Sequence, residues 1–123
     1  MKNDKEKFKD EFKRRIYTFI LKLIKAVDSL PRETSSEIFA KQILRSSTSI
    51  GANHIEAQAA SSKKDFINFF HHALKSANET KFWLAILRDS GKIKETEADV
   101  LLKEATEIAN ILGASLLTMK DKR

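Results

Sequence analysis

Residues 42–57, which read QILRSSTSIGANHIEA, constrain the fold of this chain more than any other stretch. Their spacing predicts an amphipathic helix, but small and polar residues occupy positions that large apolar side chains normally take. The first inward stripe consists of Phe39, Ile43, Ser46, Ile50, Asn53 and Ala57. The second stripe, beside it, consists of Gln42, Arg45, Ser49, Ala52 and Glu56. Because an unpartnered buried polar group costs about 1–3 kcal/mol, these stripes predict a well-defined contact with another helix or another subunit.

Apolar residues at helical spacing recur along the whole chain, in four stretches separated by short breaks. Helix-forming residues dominate, there are only three glycines and one proline, and no stretch alternates with the period of a strand. We therefore predict an all-α fold, an antiparallel up-down-up-down four-helix bundle that forms one domain over residues 1–123. The predicted helices cover about residues 5–29, 35–60, 63–89 and 96–118.

The breaks between the predicted helices carry recognisable end signals. Pro31 cannot continue the first helix, and Gly91 is a typical residue after the end of the third. Thr34, with Glu37 three residues later, matches a capping box at the start of the second helix. Gly51 interrupts the second helix at a cost of about 1 kcal/mol relative to alanine, which predicts close approach by a neighbouring helix.

Composition excludes several classes of function. The chain has no cysteine, so thiolate metal sites are excluded and a reducing, cytoplasmic location is predicted. The first fifteen residues lack the apolar core of a signal peptide, and no apolar stretch reaches the roughly 20 residues that cross a membrane. Three scattered glycines cannot form a phosphate-binding loop. We expect no cofactor and no membrane partner.

Positive charge is concentrated in the first helix. The formal net charge is +6, and residues 1–25 alone carry nine lysines or arginines against four acidic residues. A basic surface attracts polyanions, so the predicted partner is RNA or DNA, bound without sequence preference through its phosphates. The alternative is a solvated helix face that aids solubility. The candidate nucleic-acid-binding residues are Lys7, Lys9, Lys13, Arg14, Arg15 and Lys22.

No group of residues matches a known catalytic or metal-binding pattern. His72, Lys75 and Glu79 share a face of the third helix, which fits either an acid–base group or an ordinary exposed patch. His71 and its neighbour His72 diverge by about 100° around the helix, and His54 is interpreted as a surface or interface residue. We therefore predict no enzymatic activity and no metal site.

A polar network is the preferred interpretation of the remaining charged and polar positions. Arg45 and Glu56 share a face of the second helix but lie about 16 Å apart along its axis, so each needs a partner elsewhere. Glu56 is expected to reach Asn53, one turn back. The candidate network or interface residues are Gln42, Arg45, Ser49, Asn53, Glu56, Lys75 and Glu79.

Three segments carry a family resemblance: QILRSSTSIGANHIEA, SKKDFINFF and ALKSANETKFWLAILRDSG. They resemble the four-helix-bundle proteins related to bacterial 23S rRNA intervening-sequence proteins, a superfamily that includes the accessory protein of diversity-generating retroelements. The resemblance covers about residues 8–118. Many members read Asn-Ile-x-Glu-Gly where this chain has NHIEA at 53–57, which places it nearer the retroelement-type branch. The positions most specific to the family are Arg45, Ser49, Ile50, Asn53, Glu56, Ser62, Lys64, Asp65, Phe66, Ser76 and Glu79.

The resemblance implies a homopentamer, in which five bundles surround a central channel. For the retroelement relative it further implies binding of nucleic acid and of a reverse transcriptase through a basic surface. Our leading hypothesis is therefore a non-enzymatic, ring-forming scaffold that binds nucleic acid through its first helix. The alternative is a protein-interaction module, an accessory partner of a reverse transcriptase or of another protein. A membrane-surface role is disfavoured, since the bundle needs the phenylalanine-rich face of the first helix for its core.

Overall fold

The structure of the protein, a computed structural model, describes residues 2–121. These residues form four α-helices and no strand. The helices are α1 (Asp4–Asp28), α2 (Thr34–Gln58), α3 (Lys63–Asp89) and α4 (Glu95–Asp121). The predicted all-α, four-helix class is confirmed, and each predicted helix end lies within three residues of the observed one. None of these four helices is long and apolar enough to cross a membrane.

Side-chain caps fix the start of two helices. At α1, the side chain of Asn3 accepts a hydrogen bond from the backbone N–H of Glu6 (2.9 Å). At α3, the hydroxyl of Ser62 accepts one from the backbone N–H of Asp65 (3.1 Å). The end of α3 matches its prediction, because Gly91 follows it in the left-handed region at φ +76°, where a side chain would be strained.

The capping box predicted at Thr34 is wrong. The residue that precedes α2 is Glu33, whose side chain makes no capping hydrogen bond, and Thr34 already belongs to the helix. The backbone N–H of Glu37, which the threonine hydroxyl was expected to cap, instead donates to the carbonyl oxygen of Glu33 at 3.2 Å. The helix starts one residue too early for the capping box to form.

One hydrophobic core runs between the four helices. α1 buries apolar side chains at every third or fourth residue from Phe12 to Val27, and α4 buries a stripe of leucine, isoleucine and alanine. α2 and α3 contribute thinner side chains, and Ser46, Ala73, Ala77 and Thr80 are all fully buried. α2 and α3 also pack against each other more extensively than any other pair of helices. Small residues therefore let these two helices lie close together.

The two stripes predicted on α2 differ in burial. Four members of the first stripe are buried, and the other two, Phe39 and Asn53, are half-buried. In the second stripe, Arg45, Ala52 and Glu56 are exposed. The first stripe therefore faces the core as expected, whereas the second runs along the edge of the helix.

Candidate functional site

Exposed cations lie on several sides of α1. Lys7 and Arg14 are seven residues apart, so they point in nearly the same direction on the outer face. Lys9 and Lys13 lie toward α2, where their charges act on a buried histidine. Lys22 lies toward α4, where its charge acts on a glutamate. All five are exposed, and within residues 2–121 none of them forms an ion pair.

Arg15 differs from the other candidates because α4 neutralises its charge. Its Nε donates to Glu104 Oε2 at 2.8 Å, and its Nη2 donates to Glu104 Oε1 at 2.7 Å and also pairs with Glu107. These hydrogen bonds raise the pKa of Arg15 and lower the pKa of Glu104. Arg15 therefore joins α1 to α4 and is not a free cation, which corrects its assignment to the nucleic-acid surface. Sequence spacing gave no signal, because the partners lie 89 and 92 residues away.

Hydroxyl groups bridge α2 and α3 in the middle of their contact. Ser46 Oγ and Thr80 Oγ1 lie 2.8 Å apart, and both residues are fully buried. One turn further along α2, Ser49 Oγ accepts a hydrogen bond from Ser76 Oγ at 2.9 Å. Thr80 Oγ1 also donates to the carbonyl oxygen of Ser76 at 2.8 Å. The partners that these polar positions require thus come from the same chain.

A charged cluster lies at the outer edge of the contact between α2 and α3. The Arg45 guanidinium pairs with the Glu79 carboxylate across the two helices, and it donates to Gln42 Oε1 at 3.0 Å. Trp83 Nε1 donates to the same carboxylate at 2.9 Å. The structure thus brings three of the candidate network residues together. Sequence reasoning missed the tryptophan, although its position four residues after Glu79 is the spacing at which side chains on a helix meet.

Of the remaining network candidates, Asn53 and Ser49 meet, whereas Glu56 and Lys75 do not join them. Asn53 Nδ2 donates to the carbonyl oxygen of Ser49 at 2.9 Å and to its hydroxyl at 3.0 Å. The expected contact between Asn53 and Glu56 is therefore wrong, because the amide bonds to groups one turn earlier in its own helix. Glu56 and Lys75 are exposed.

The face with His72, Lys75 and Glu79 offers no oriented acid–base pair. His72 and Lys75 are exposed, and the carboxylate of Glu79 is taken up by Arg45 and Trp83. In the described part of the chain, no three His, Asp or Glu side chains come close enough to hold a metal ion. This face therefore presents charge to solvent rather than a built reaction site.

His54 is buried, which corrects its interpretation as a surface residue. It is 3% exposed, and its ring contacts Phe12 edge-on (5.2 Å between centroids) and Phe70 (5.8 Å). Burial, and then the positive charges of Lys13 and Lys9, lower the pKa of His54, so the imidazole is neutral at pH 7. A signal for its burial existed, because it follows a buried isoleucine by four residues on the same helix face.

An open groove lies between α1 and α2. Its volume is about 560 Å³, and its walls include Ile16, Ile20, Gly51 and Ile55. A methyl group on Gly51 would lie 3.3 Å from Ile20 Cδ1, so glycine permits the close approach that the sequence predicted. At the rim, Tyr17 is 65% exposed and Ile55 is 53% exposed. The groove therefore leaves apolar surface open to solvent.

Comparison with known proteins agrees with this architecture. A family model described as 23S rRNA-intervening sequence protein matches residues 9–114. The chain belongs to this family. The resemblance that the sequence predicted is thus confirmed. No curated protein matches the chain.

A solved structure supports the same assignment. The chain is similar to a protein of unknown function from the S23 ribosomal protein family of Bacteroides thetaiotaomicron VPI-5482, whose crystal structure was determined at 1.70 Å resolution. The two chains are 37% identical and superpose with a TM-score of 0.80, over 85% of this chain and 97% of the other. The function of that relative is unknown.

Proposed function

We propose that this protein is a non-enzymatic scaffold that assembles with copies of itself and binds nucleic acid, without sequence preference, through α1. The observation that carries the proposal is the set of five exposed cations on that one helix, which are not ion-paired within residues 2–121. Phosphate contacts from such side chains attract RNA or DNA and carry no base information. A family name that refers to 23S rRNA is consistent with such a partner.

Salt dependence of RNA binding tests the nucleic-acid part of the proposal. A labelled single-stranded RNA is titrated at low and at physiological salt, where phosphate contacts predict weaker binding at the higher salt. Replacing Lys13 and Arg14 by glutamine removes two contacts and should flatten the slope of log K against log salt by about 1.4. As the control, replacing Lys94 and Lys103 removes the same charge near and on α4. No binding at low salt, or binding indifferent to salt, would end the proposal.

The self-assembly part is supported by an apolar stripe on the outside of α1. Tyr17, Leu21 and Ile24 are exposed and spaced by four and three residues, so they lie on one side of the helix, beside the groove that Ile55 also lines. Exposed apolar surface of this kind is typical of protein–protein contacts. On α2, Arg45, Ser46 and Ser49 find their partners on α3 of the same chain. We therefore assign the contact with another copy to the α1–α2 side.

Within each copy, we propose that successive helices run antiparallel in up-down-up-down order. The order of partners across α2 and α3 supports this direction. Ser46 lies opposite Thr80, Ser49 opposite Ser76, and the next ring contact is between His54 and Phe70. The residue number on α3 falls as the number on α2 rises. Short connections between the helices fit the same arrangement.

Light-scattering mass tests the assembly. A ring of five, which the family resemblance implies, has a mass of about 70 kDa for a chain of 14.0 kDa. Ile55→Lys places a charge on the proposed contact and should shift the mass to that of one chain. Val100→Lys, at an equally exposed apolar position on α4, should leave the mass unchanged. A wild-type protein that stays at the mass of one chain would overturn this part.

The alternative function is a protein-interaction module, such as an accessory partner of a reverse transcriptase. The observation in its favour is that Lys13 and Arg14 line the apolar α1–α2 groove, which fits an acidic partner that carries apolar side chains. Affinity purification from nuclease-treated lysate separates the two functions. A partner retained after nuclease treatment, and lost with Ile55→Lys, favours the interaction module.

A further inference from the structure

A second cavity lies at the end of the bundle where α1 begins and α4 ends. Its volume is about 380 Å³, within the range of small-molecule sites, and all four helices contribute to its walls. α1 supplies Lys5 and Lys9 together with two phenylalanines, and α4 supplies Ala114 and Met119. This cavity is separate from the groove at Gly51, although His54 lines both.

Five aromatic rings follow one another around this cavity. Phe8 and Phe12 are stacked with centroids 6.4 Å apart, and Phe12 meets His54 edge-on at 5.2 Å. His54 in turn lies 5.8 Å from Phe70, which stacks against Phe66 at 4.8 Å. All five residues line the cavity. The walls therefore present aromatic faces and edges, which are the surfaces on which planar rings pack.

His54 is a buried polar residue in the wall of this cavity. The residue is 97% buried, and within residues 2–121 its imidazole makes no hydrogen bond. A neutral imidazole carries one donor and one acceptor, which are available to a molecule in the cavity. Gln58 and Ser115 line the same cavity and add an amide and a hydroxyl. The cavity thus combines an aromatic wall with hydrogen-bonding groups that a bound ring could satisfy.

We propose that this cavity receives one base of a single-stranded RNA or DNA, stacked among the phenylalanines and hydrogen-bonded to His54, with adjacent phosphates on Lys5 and Lys9. The inference rests on the proposed nucleic-acid binding and adds a base-binding site to it. Proteins that bind single strands combine aromatic platforms with cations in this way. A purely hydrocarbon ligand would offer His54 no hydrogen bond, whereas the edge of a base carries donors and acceptors for it and for Gln58.

Two short strands of equal charge test the inference. One is a five-nucleotide single-stranded DNA, and the other is the same strand without bases. Phosphate contacts alone predict equal affinity, whereas one stacked base predicts roughly 5- to 150-fold tighter binding of the complete strand. Equal affinities, each still weakened by salt, would overturn the base site and leave the proposed function standing. Failure of both strands to bind would overturn both.

A matched pair of variants tests whether the base binds in this cavity. Ala114 lines the cavity and is itself exposed, so Ala114→Phe should close the opening. It should lower the affinity for the complete strand to that for the baseless strand, which itself should not change. Asn110→Phe adds the same ring one turn earlier at an exposed position outside the cavity and should keep the difference. A preference for bases that survives Ala114→Phe would place stacking elsewhere and reject the site.

Discussion

Small residues lie at both contacts of α2, the one with α3 and the one with α1. The contact with α3 is filled, whereas the contact with α1 leaves a groove. Toward α3, the hydroxyls of Ser46 and Ser49 bond to Thr80 and Ser76 in a closed contact. Toward α1, Gly51 allows the helices to approach, yet an apolar groove of about 560 Å³ stays open. One side of α2 is therefore closed and polar, and the other is open and apolar.

The two sides of α2 therefore serve different purposes. The side toward α3 stabilises the fold, and the side toward α1 is available for binding. Buried hydroxyls that have partners fix how two helices lie against each other, and they leave nothing for another molecule to bind. An apolar groove beside exposed cations buries less apolar surface within the fold. It keeps that surface available to another molecule. The proposed assembly contact therefore belongs to the α1–α2 side.

The largest effect should come from filling the closed contact. Ala77 is fully buried on α3, one turn before the Thr80 that contacts α2, so Ala77→Leu should lower the free energy of unfolding by about 1–3 kcal/mol through overpacking. Ala52→Leu, at the open groove, should change it by no more than about 0.5 kcal/mol. Urea unfolding measures both variants. Equal losses would mean that the two sides of α2 are packed alike.

Glycine replacements should give the next largest effect. Gly113→Ala should raise the free energy of unfolding by about 1 kcal/mol, because nothing lies within 4 Å of the added methyl group. Gly51→Ala should raise it by only about 0.5 kcal/mol, since the end of the Ile20 side chain must shift into the open groove. Thermal unfolding compares the two variants. A destabilised Gly51→Ala protein would show that the α1–α2 contact is tighter than its groove suggests.

Ion pairs should contribute less to the free energy of unfolding than the core and glycine replacements change it. A double-mutant cycle with Arg15→Gln and Glu104→Gln should give a coupling energy of about 0.5–1 kcal/mol. The two side chains form two hydrogen bonds and are partly shielded from solvent. The same cycle for Arg45 and Glu79, whose side chains are 57% and 36% exposed, should give about 0.3 kcal/mol. The reverse order would place the stronger electrostatic contact between α2 and α3.

The smallest effect should be a pH dependence that arises at His54. Its pKa is lowered in the folded protein, so the unfolded chain binds more protons below about pH 6.5, where an ordinary histidine titrates. The free energy of unfolding should therefore fall as the pH is lowered from 7 to 5. His54→Phe should weaken this trend, and His72→Gln, at an exposed position, should keep it. His71, whose pKa is lowered by burial, and Glu104, whose pKa is lowered by its hydrogen bonds with Arg15, contribute to the part that remains.

Local features of the fold could be predicted because their causes lie within a few residues. Gly91 follows α3, and it predicted the observed end of that helix. The capping box at Thr34 has the right residues and still does not form, since the start of α2 is shifted by one position. Sequence spacing therefore predicts that a helix exists more reliably than which hydroxyl caps it.

The candidate site was predictable only as a charge distribution. The excess of positive charge on α1 is visible in the sequence, but the sequence cannot separate Arg15 from its neighbour Arg14. Only the packing of α4 places Glu104 beside one of them and leaves the other in solvent. The ring of aromatic residues around His54 is likewise absent from any local pattern, because three helices supply its members.

The sequence by itself determined four helices, their approximate ends, close packing of α2 against a neighbouring helix, and a basic first helix. These features follow from helical spacing and charge, which are local properties of the chain. The tertiary structure decided which polar groups are satisfied, which cations stay free and where the cavities lie. Those features depend on side chains from distant segments that meet only after the helices have packed. Arg15 and His54 illustrate this, since in both cases a neighbouring helix sets the environment of a side chain whose identity alone suggested another role.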